Sequence, residues 1–270
     1  MKGPGGKKVA FEDAPAELLS RSQDPWVLRP GDKWHGFADI ADDWCMLDPI
    51  KVSILSPGMG EDGKLEKTGV PAALVNAWFN RFGIVPTRVT DFQVMFLFSI
   101  GVTKGKWGTL LNTLLDFKVD YDRNAPLSEV LPGLVASAPH RYAGKGLKDL
   151  GDEMWAQLRK SKQGHWQTQA YATLPTPKMT PRRAFQKLMA GDAEKVPLDK
   201  MADRVVTVGV IPYPPGIPIV MPGESLGPND GPWITYLRTL QEWGHMFPGF
   251  AKEVEGTEEI DGVFHVLCVK

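Results

Sequence analysis

The segment Ile211 to Glu224, which reads IPYPPGIPIVMPGE, constrains the fold of this chain more than any other. Proline holds φ at about −65° and removes a backbone donor, and glycine supplies positive φ values that other residues resist. Since no regular helix or central strand accommodates this composition, we predict a stiff apolar loop. A rigid loop that ends in Pro222-Gly223-Glu224 is expected to fit one particular surface, and a functional or interface role is sought there first.

Length, charge and cysteine content limit the classes of protein that the chain can belong to. Its 270 residues allow one large domain or two smaller ones, and the formal net charge of −1 gives no attraction to nucleic acid or to an anionic membrane. Cys45 and Cys268 are far apart in sequence, which favours free thiols in a reducing compartment over a disulfide scaffold or a cysteine zinc site. No apolar run approaches about 18 residues. We therefore expect a cytoplasmic protein without a signal peptide or a membrane span.

The first half of the chain is predicted to contain a strand, a helix, two consecutive strands and a further helix, in that order. Residues 1–30 are rich in glycine, proline and charge, and are expected to form a tether. The run IKVSIL predicts a strand, Pro71 opens a helix that ends at Gly83, and both IVPTRV and FQVMFLFSIG predict strands. Lys104 to Tyr121 predicts a long helix with Trp107, Leu111, Leu114 and Leu115 on one face.

The second half contains further helices and a final hairpin. Leu147 to Lys160 predicts a helix with an apolar side, and HWQTQAYATL predicts another. Thr180 followed by Pro181 is typical of a helix start, and Pro232 to Phe247 has apolar residues in helical register. Asp261-Gly262 before VFHVLCV indicates a hairpin.

This order of elements favours an α+β fold in two lobes, each a mainly antiparallel sheet covered by helices, over a repeating βαβ unit. The polar stretch from Lys160 to Gly164 is the best candidate for a boundary. We therefore predict a tether at 1–30, a small lobe at 31–163 and a carboxy-terminal domain at 164–270.

Motifs for most catalytic chemistries are missing from the sequence. It contains no GxGxxG before a helix, no GxxxxGK[ST] and no GxSxG. The five histidines (His35, His140, His165, His245 and His265) are isolated, without an HExxH or a cysteine at metal spacing, so structural roles are favoured and no metal site is predicted. The pair Asp42-Asp43 could bind a cation, but a solvated loop is favoured.

Two other short motifs admit a functional and a structural interpretation. Arg182 and Arg183 lie in the first turn of a predicted helix, where free N–H groups favour an anion such as a phosphate-bearing effector. A solvated basic face is the alternative. The cluster Trp34-His35-Gly36-Phe37 surrounds a titratable ring with aromatic residues, and it also suits a corner of the core.

A set of ordered motifs resembles one known family. Together these motifs resemble the carboxy-terminal portion of the bacterial ornithine/lysine/arginine decarboxylases, which are large pyridoxal-phosphate enzymes of the aspartate-aminotransferase-like fold. The resemblance extends from Trp34 to Lys270. The motifs are WHGF (34–37), LDPIKVSILSPGM (47–59), GVPAALV (69–75), FLFSIG (96–101), TPRRAF (180–185), IPYPPGIPIVMPGE (211–224) and FPGF (247–250).

The resemblance implies an enzyme that decarboxylates a basic amino acid, with pyridoxal phosphate held as a Schiff base by the lysine of a Ser-x-His-Lys motif. In this sequence no histidine is followed by lysine, since Gly36, Arg141, Trp166, Met246 and Val266 stand in those places. We therefore expect no cofactor bound by this chain alone and no catalytic residue within it. A split enzyme, a gene fragment and a stand-alone binding partner are the three explanations that remain.

By resemblance, the small lobe closes over the cleft of the cofactor domain and the carboxy-terminal domain contributes to the entrance and to the dimer contact. Trp34, His35, Tyr213 and Glu224 are the candidates for the substrate channel. The Glu224 carboxylate could pair with the distal cation of a basic substrate, or it could merely stabilise its own loop. The expected partner is a companion chain or a full-length decarboxylase, in a dimer or higher oligomer. The alternative is a non-catalytic regulatory module that docks onto a full-length enzyme.

Overall fold

The computed structural model describes residues 9–11, 13–32, 35–42, 44–60 and 62–270. The chain divides into two compact units, Met1–Val52 with Leu97–Gly101, and Ser53–Phe96 with Val102–Lys270. Helices and several small antiparallel sheets make up the structure, so the predicted α+β class is confirmed.

The smaller unit contains one short helix and a two-stranded ladder. Helix α1 (Ala16–Arg21) falls within the segment expected to be a tether. Strand β1 (Val27–Leu28) pairs antiparallel with β2 (Cys45–Met46). The Trp26 Nε1–H donates to the Leu19 carbonyl at 2.9 Å, which links α1 to this ladder.

Three strands form a sheet in the order β3-β5-β4. They are β3 (Lys51–Leu55), β4 (Arg88–Val89) and β5 (Gln93–Leu97), and β4 pairs antiparallel with β5. Strand β4 is shorter than the strand predicted from IVPTRV, because Pro86 has no N–H to donate to a ladder. Helix α2 (Ala72–Asn80) begins after Pro71, as predicted, and buries the indole of Trp78, whose Nε1–H donates to the Thr113 carbonyl at 3.0 Å.

Helix α3 (Lys104–Asp122) has the predicted length, and Thr103 caps it by accepting the Lys106 N–H. Its buried residues are Thr113 and Phe117. The predicted apolar face is only partly packed, since the described residues leave Trp107, Leu111 and Leu115 about half exposed.

A group of helices follows α3. Its members are α4 (Leu127–Val130), α5 (Pro132–Ser137), α6 (Pro139–Tyr142), α7 (Leu147–Ser161) and α8 (Gln163–Ala172). The apolar side predicted for α7 is buried throughout, including Leu150 and Met154. Gly69 permits this packing, because a Cβ on it would lie 2.3 Å from the Trp155 ring of α7.

The remaining elements follow α8 in the chain. They are β6 (Thr176–Pro177), α9 (Pro181–Met189), β7 (Ala193–Pro197), a 3₁₀ turn at Leu198–Lys200, β8 (Ile211–Tyr213), β9 (Glu224–Ser225), α10 (Pro232–Met246), β10 (Glu253–Glu255), β11 (Thr257–Ile260) and β12 (Val263–Val269). Strands β11, β12 and β7 form an antiparallel sheet in that order. The predicted hairpin is present, with positive φ at Asp261 and Gly262.

The core of this part lies between α10 and β12. Alternate residues of β12 are buried, as a strand with one covered face requires. The apolar side chains of α10 predicted to lie on one face are buried as well. The buried members that these two elements contribute include Trp233, Ile234, Tyr236, Leu237, Leu240, Phe264 and Val266.

Candidate functional site

The proline-glycine segment forms a closed loop between two ladders. Strand β8 at its start pairs with β10, and β9 at its end pairs with β6. Val210 closes the loop by donating to the Val220 carbonyl and accepting from the Ile219 N–H, each at 2.9 Å. The Tyr171 hydroxyl donates to the Ile217 carbonyl at 3.2 Å, and burial raises the pKa of this phenol to about 12, which keeps the donor protonated near neutral pH.

The end of the loop lies against the start of α9. Gly223 has φ +90°, and a Cβ on it would lie 2.4 Å from the Met179 carbonyl oxygen. Its own carbonyl accepts the N–H groups of Lys178 at 2.9 Å and Met179 at 3.1 Å. The fold therefore brings the Pro222-Gly223-Glu224 end of the loop against the residues that lead into α9, a contact that the sequence did not predict.

Glu224 is half-buried and stabilises the turn that precedes it. One carboxylate oxygen, Oε2, accepts the Met221 N–H at 2.7 Å. This contact is the loop-stabilising role that the sequence left open for this acid. Among the described residues Oε1 has no hydrogen-bond partner, so half of the carboxylate is available to a cation.

Arg182 and Arg183 are both exposed on the first turn of α9. The Thr180 Oγ1 accepts the Arg183 backbone N–H at 3.3 Å, so the capping residue already satisfies one of the free donors of this turn. Neither guanidinium has an ion-pair partner within the described part of the chain. The geometry fits the solvated basic face and leaves the anion-binding interpretation as a prediction.

Tyr213 and His35 lie in different surroundings from Glu224. Tyr213 is 55% exposed, and it belongs to the β8–β10 ladder, whereas Glu224 belongs to the β6–β9 ladder. His35 belongs to the smaller unit, where its Nδ1 accepts the Phe37 N–H at 3.0 Å and its Nε2 lies 2.9 Å from the Arg29 carbonyl. Trp34 lies outside the described residues.

The loop and α9 both carry exposed apolar side chains. Large apolar side chains that are this exposed are typical of a surface that contacts another molecule. They are Phe185 (56%), Met189 (70%), Ile217 (53%) and Met221 (45%).

A buried polar cluster escaped the sequence analysis. Lys252 forms an ion pair with Asp91, and the two side chains are 11% and 3% exposed. The Gln163 Nε2 donates to both oxygens of the same carboxylate at 3.0 Å. Asp91 and Lys252 are 161 positions apart, and nothing in the local sequence of either residue marks it as one of a pair.

A Schiff base with pyridoxal phosphate needs a lysine amine that is free to react, and the buried Lys252 ammonium is held by Asp91. No group of three or more histidine, cysteine or acidic side chains in the described ranges could hold a metal ion. Over the same ranges, no helix is both long and apolar enough to cross a membrane.

The α+β elements, the exposed apolar side chains and the proline-glycine loop of the described residues are typical of a piece that packs against further protein. Comparison with known families identifies the family. Residues 8–106 match the family described as "Orn/Lys/Arg decarboxylase, major domain", and residues 164–270 match "Orn/Lys/Arg decarboxylase, C-terminal domain". The chain belongs to the Orn/Lys/Arg decarboxylase family.

Individual relatives show how much of the family's length is present. The chain is 57% identical over 98% of its length to the biodegradative arginine decarboxylase of Escherichia coli, and it is 41% identical over 91% to the lysine decarboxylase LdcA of Pseudomonas aeruginosa. A solved structure of lysine decarboxylase A from Pseudomonas aeruginosa matches 97% of the chain at 38% identity, with a TM-score of 0.87. The chain spans about a third of the length of these relatives, 35%, 33% and 35% respectively.

Proposed function

We propose that this chain is the carboxy-terminal part of a pyridoxal-phosphate-dependent decarboxylase of basic amino acids, with residues 31–163 as its small lobe and 164–270 as its carboxy-terminal domain. The observation that carries the proposal is the coverage, because nearly all of the chain matches about a third of a decarboxylase. Alone it is inactive. With a cofactor-carrying portion it completes the active-site cleft and the dimer surface, and the assembly is cytoplasmic.

Arginine is the substrate that we propose for the assembly. The chain shares 57% of its residues with an arginine decarboxylase and 41% with a lysine decarboxylase over similar lengths. A guanidinium can form two parallel hydrogen bonds with a carboxylate, whereas an ammonium acts as a point charge.

The chain's own residues bind and orient the substrate in this proposal. Glu224 pairs through its open Oε1 with the distal cation, while the Met221 N–H holds Oε2 in place. The resemblance to the family is the ground for keeping Tyr213, His35 and Trp34 as proposed channel residues of the complete enzyme. The Schiff-base chemistry belongs to pyridoxal phosphate on the companion portion.

The test is to purify the chain alone, and to co-express it with the amino-terminal portion of the Escherichia coli arginine decarboxylase that precedes the matched region. Absorbance of the Schiff base and amine release from arginine, lysine and ornithine are measured in each preparation. We expect neither signal from the chain alone, and both signals from the pair with arginine preferred. Amine release by the isolated chain contradicts the proposal. A change in the rate of an intact arginine decarboxylase upon addition of the chain, without complementation, supports the regulatory alternative.

A further inference from the structure

Helix α3 carries an apolar ridge that the described part of the chain leaves uncovered. Trp107, Leu111, Leu115 and Val119 follow each other at intervals of four, and their exposed fractions are 48%, 48%, 53% and 62%. Residues four apart on a helix are neighbours on its surface, so the four side chains form one row. The row is about 18 Å long at about 1.5 Å per residue.

An apolar cavity of about 660 Å³ continues this ridge. It lies between α3, α7 and the end of β3, and most of its lining is apolar. Leu114 and Lys118 line it from α3, and each lies three positions after a ridge residue, Leu111 and Leu115, a spacing that places the pairs side by side on the helix surface. We call the ridge and the cavity together the α3 face.

The wall of the cavity formed by β3 is exposed as well. Strand β3 lies at the edge of its sheet, and all five of its residues are exposed. Ile54 and Leu55 line the cavity and are 37% and 42% exposed. An exposed apolar edge strand is a site where another chain segment can add, and proteins that act as monomers normally protect such edges.

The charges at the cavity favour an apolar partner over a charged one. Lys118 forms an ion pair with Asp122 on the same helix, and Asp152 of α7 accepts from the Tyr121 hydroxyl at 3.5 Å. Burial, and then the Asp152 carboxylate, raise the pKa of this phenol above its ordinary value. The polar groups are thus mostly engaged with one another, and the remaining surface offers apolar area.

The length of the relatives indicates what covers this surface. About two thirds of the length of the relatives lies outside the part that this chain matches, and the α3 face lies in or directly after the part that matches the major domain of the family. We propose that the α3 face is the docking surface for the cofactor-carrying portion of the decarboxylase, which inserts an apolar segment into the cavity and covers the ridge. This inference rests on the proposed function, because it assigns a surface to the partner proposed there.

A substitution on the ridge tests the assignment. Leu115→Glu introduces a carboxylate in the middle of the ridge, and Thr109→Glu introduces the same group at an exposed position on another side of α3 as the matched control. Each variant is co-expressed with the tagged amino-terminal portion of the Escherichia coli arginine decarboxylase, and the affinity of the purified pair is measured. We expect Leu115→Glu to weaken binding about a hundredfold, because a buried carboxylate without a partner opposes association. Thr109→Glu changes the affinity less than about threefold.

The outcomes separate this inference from the proposed function. If the unmodified chain fails to bind the amino-terminal portion, the proposed function is wrong and the docking surface falls with it. If the unmodified chain and Leu115→Glu bind equally well, the docking surface is wrong while the proposed function stands. A dimer of the isolated chain that Leu115→Glu dissociates, without an effect on the amino-terminal portion, also overturns the assignment. Leu111→Glu repeats the test if circular dichroism shows that Leu115→Glu does not fold.

Discussion

Replacing Lys252 by methionine should destabilise the protein through the acid that it leaves behind. The Asp91 side chain is 3% exposed, and Lys252 provides its counter-charge. Removing one partner of a buried ion pair costs about 3–5 kcal/mol, because the other charge stays in a medium of low polarity. Gln163 still donates to both carboxylate oxygens in the variant. We therefore expect the free energy of unfolding to fall by about 3 kcal/mol, at the lower end of this range.

The assay is urea unfolding at pH 7, followed by tryptophan fluorescence. Lys195→Met is the matched control, since Lys195 pairs with Glu258 at the surface, where the side chains are 47% and 56% exposed. An exposed ion pair contributes less than about 1 kcal/mol, so this control should unfold nearly as the unmodified chain does.

The double variant Asp91→Asn/Lys252→Met provides a second check. It removes both charges, so it should lose less free energy of unfolding than the two single variants together. The reasoning is refuted if Lys252→Met lies within about 1 kcal/mol of the unmodified chain, because the carboxylate would then not depend on the lysine.

Two further predictions concern a turn and a thiol. Gly256→Ala should lower the free energy of unfolding by at least about 3 kcal/mol in a urea titration, because a Cβ at φ +80° would lie 1.9 Å from the Gly209 oxygen. Gly191 has a similar φ of +79° but open space around it, so Gly191→Ala should lower the free energy of unfolding by about 1 kcal/mol. Equal losses in the two variants would contradict the steric argument. Burial raises the pKa of the Cys268 thiol to about 11, so a disulfide reagent at pH 8 should label Cys45 in the native chain and both cysteines after denaturation. Because the thiol ionises more easily in the unfolded chain, its contribution to the free energy of unfolding is fully present below about pH 9 and is lost towards pH 11. Cys268→Ala should reduce this loss. Rapid labelling of Cys268 in the native chain would contradict its burial.

Sequence reasoning located the elements whose signals are local. Thr180 caps α9 as its position before Pro181 predicts, and Asp261-Gly262 forms the turn that joins β11 to β12. These predictions succeed because capping and tight turns depend on a few consecutive residues. The same holds for the alternation of burial in β12.

The predictions that fail concern features that depend on tertiary packing. The apolar face of α3 has the periodicity of a core helix, and the described chain leaves much of it exposed, because periodicity shows that a face needs cover without showing what covers it. Likewise, the composition of IVPTRV favours a strand, but only Arg88 and Val89 pair.

The features of the candidate site also separate into those that depend on local sequence and those that depend on packing. By itself, the sequence determined the family and the rigidity of the loop from Ile211 to Glu224, since ordered motifs and proline-glycine composition are properties of the chain alone. Only the tertiary structure placed Gly223 against Met179 and paired Asp91 with Lys252. Those contacts join residues that are far apart in sequence, and they arise from the burial of the surfaces between them.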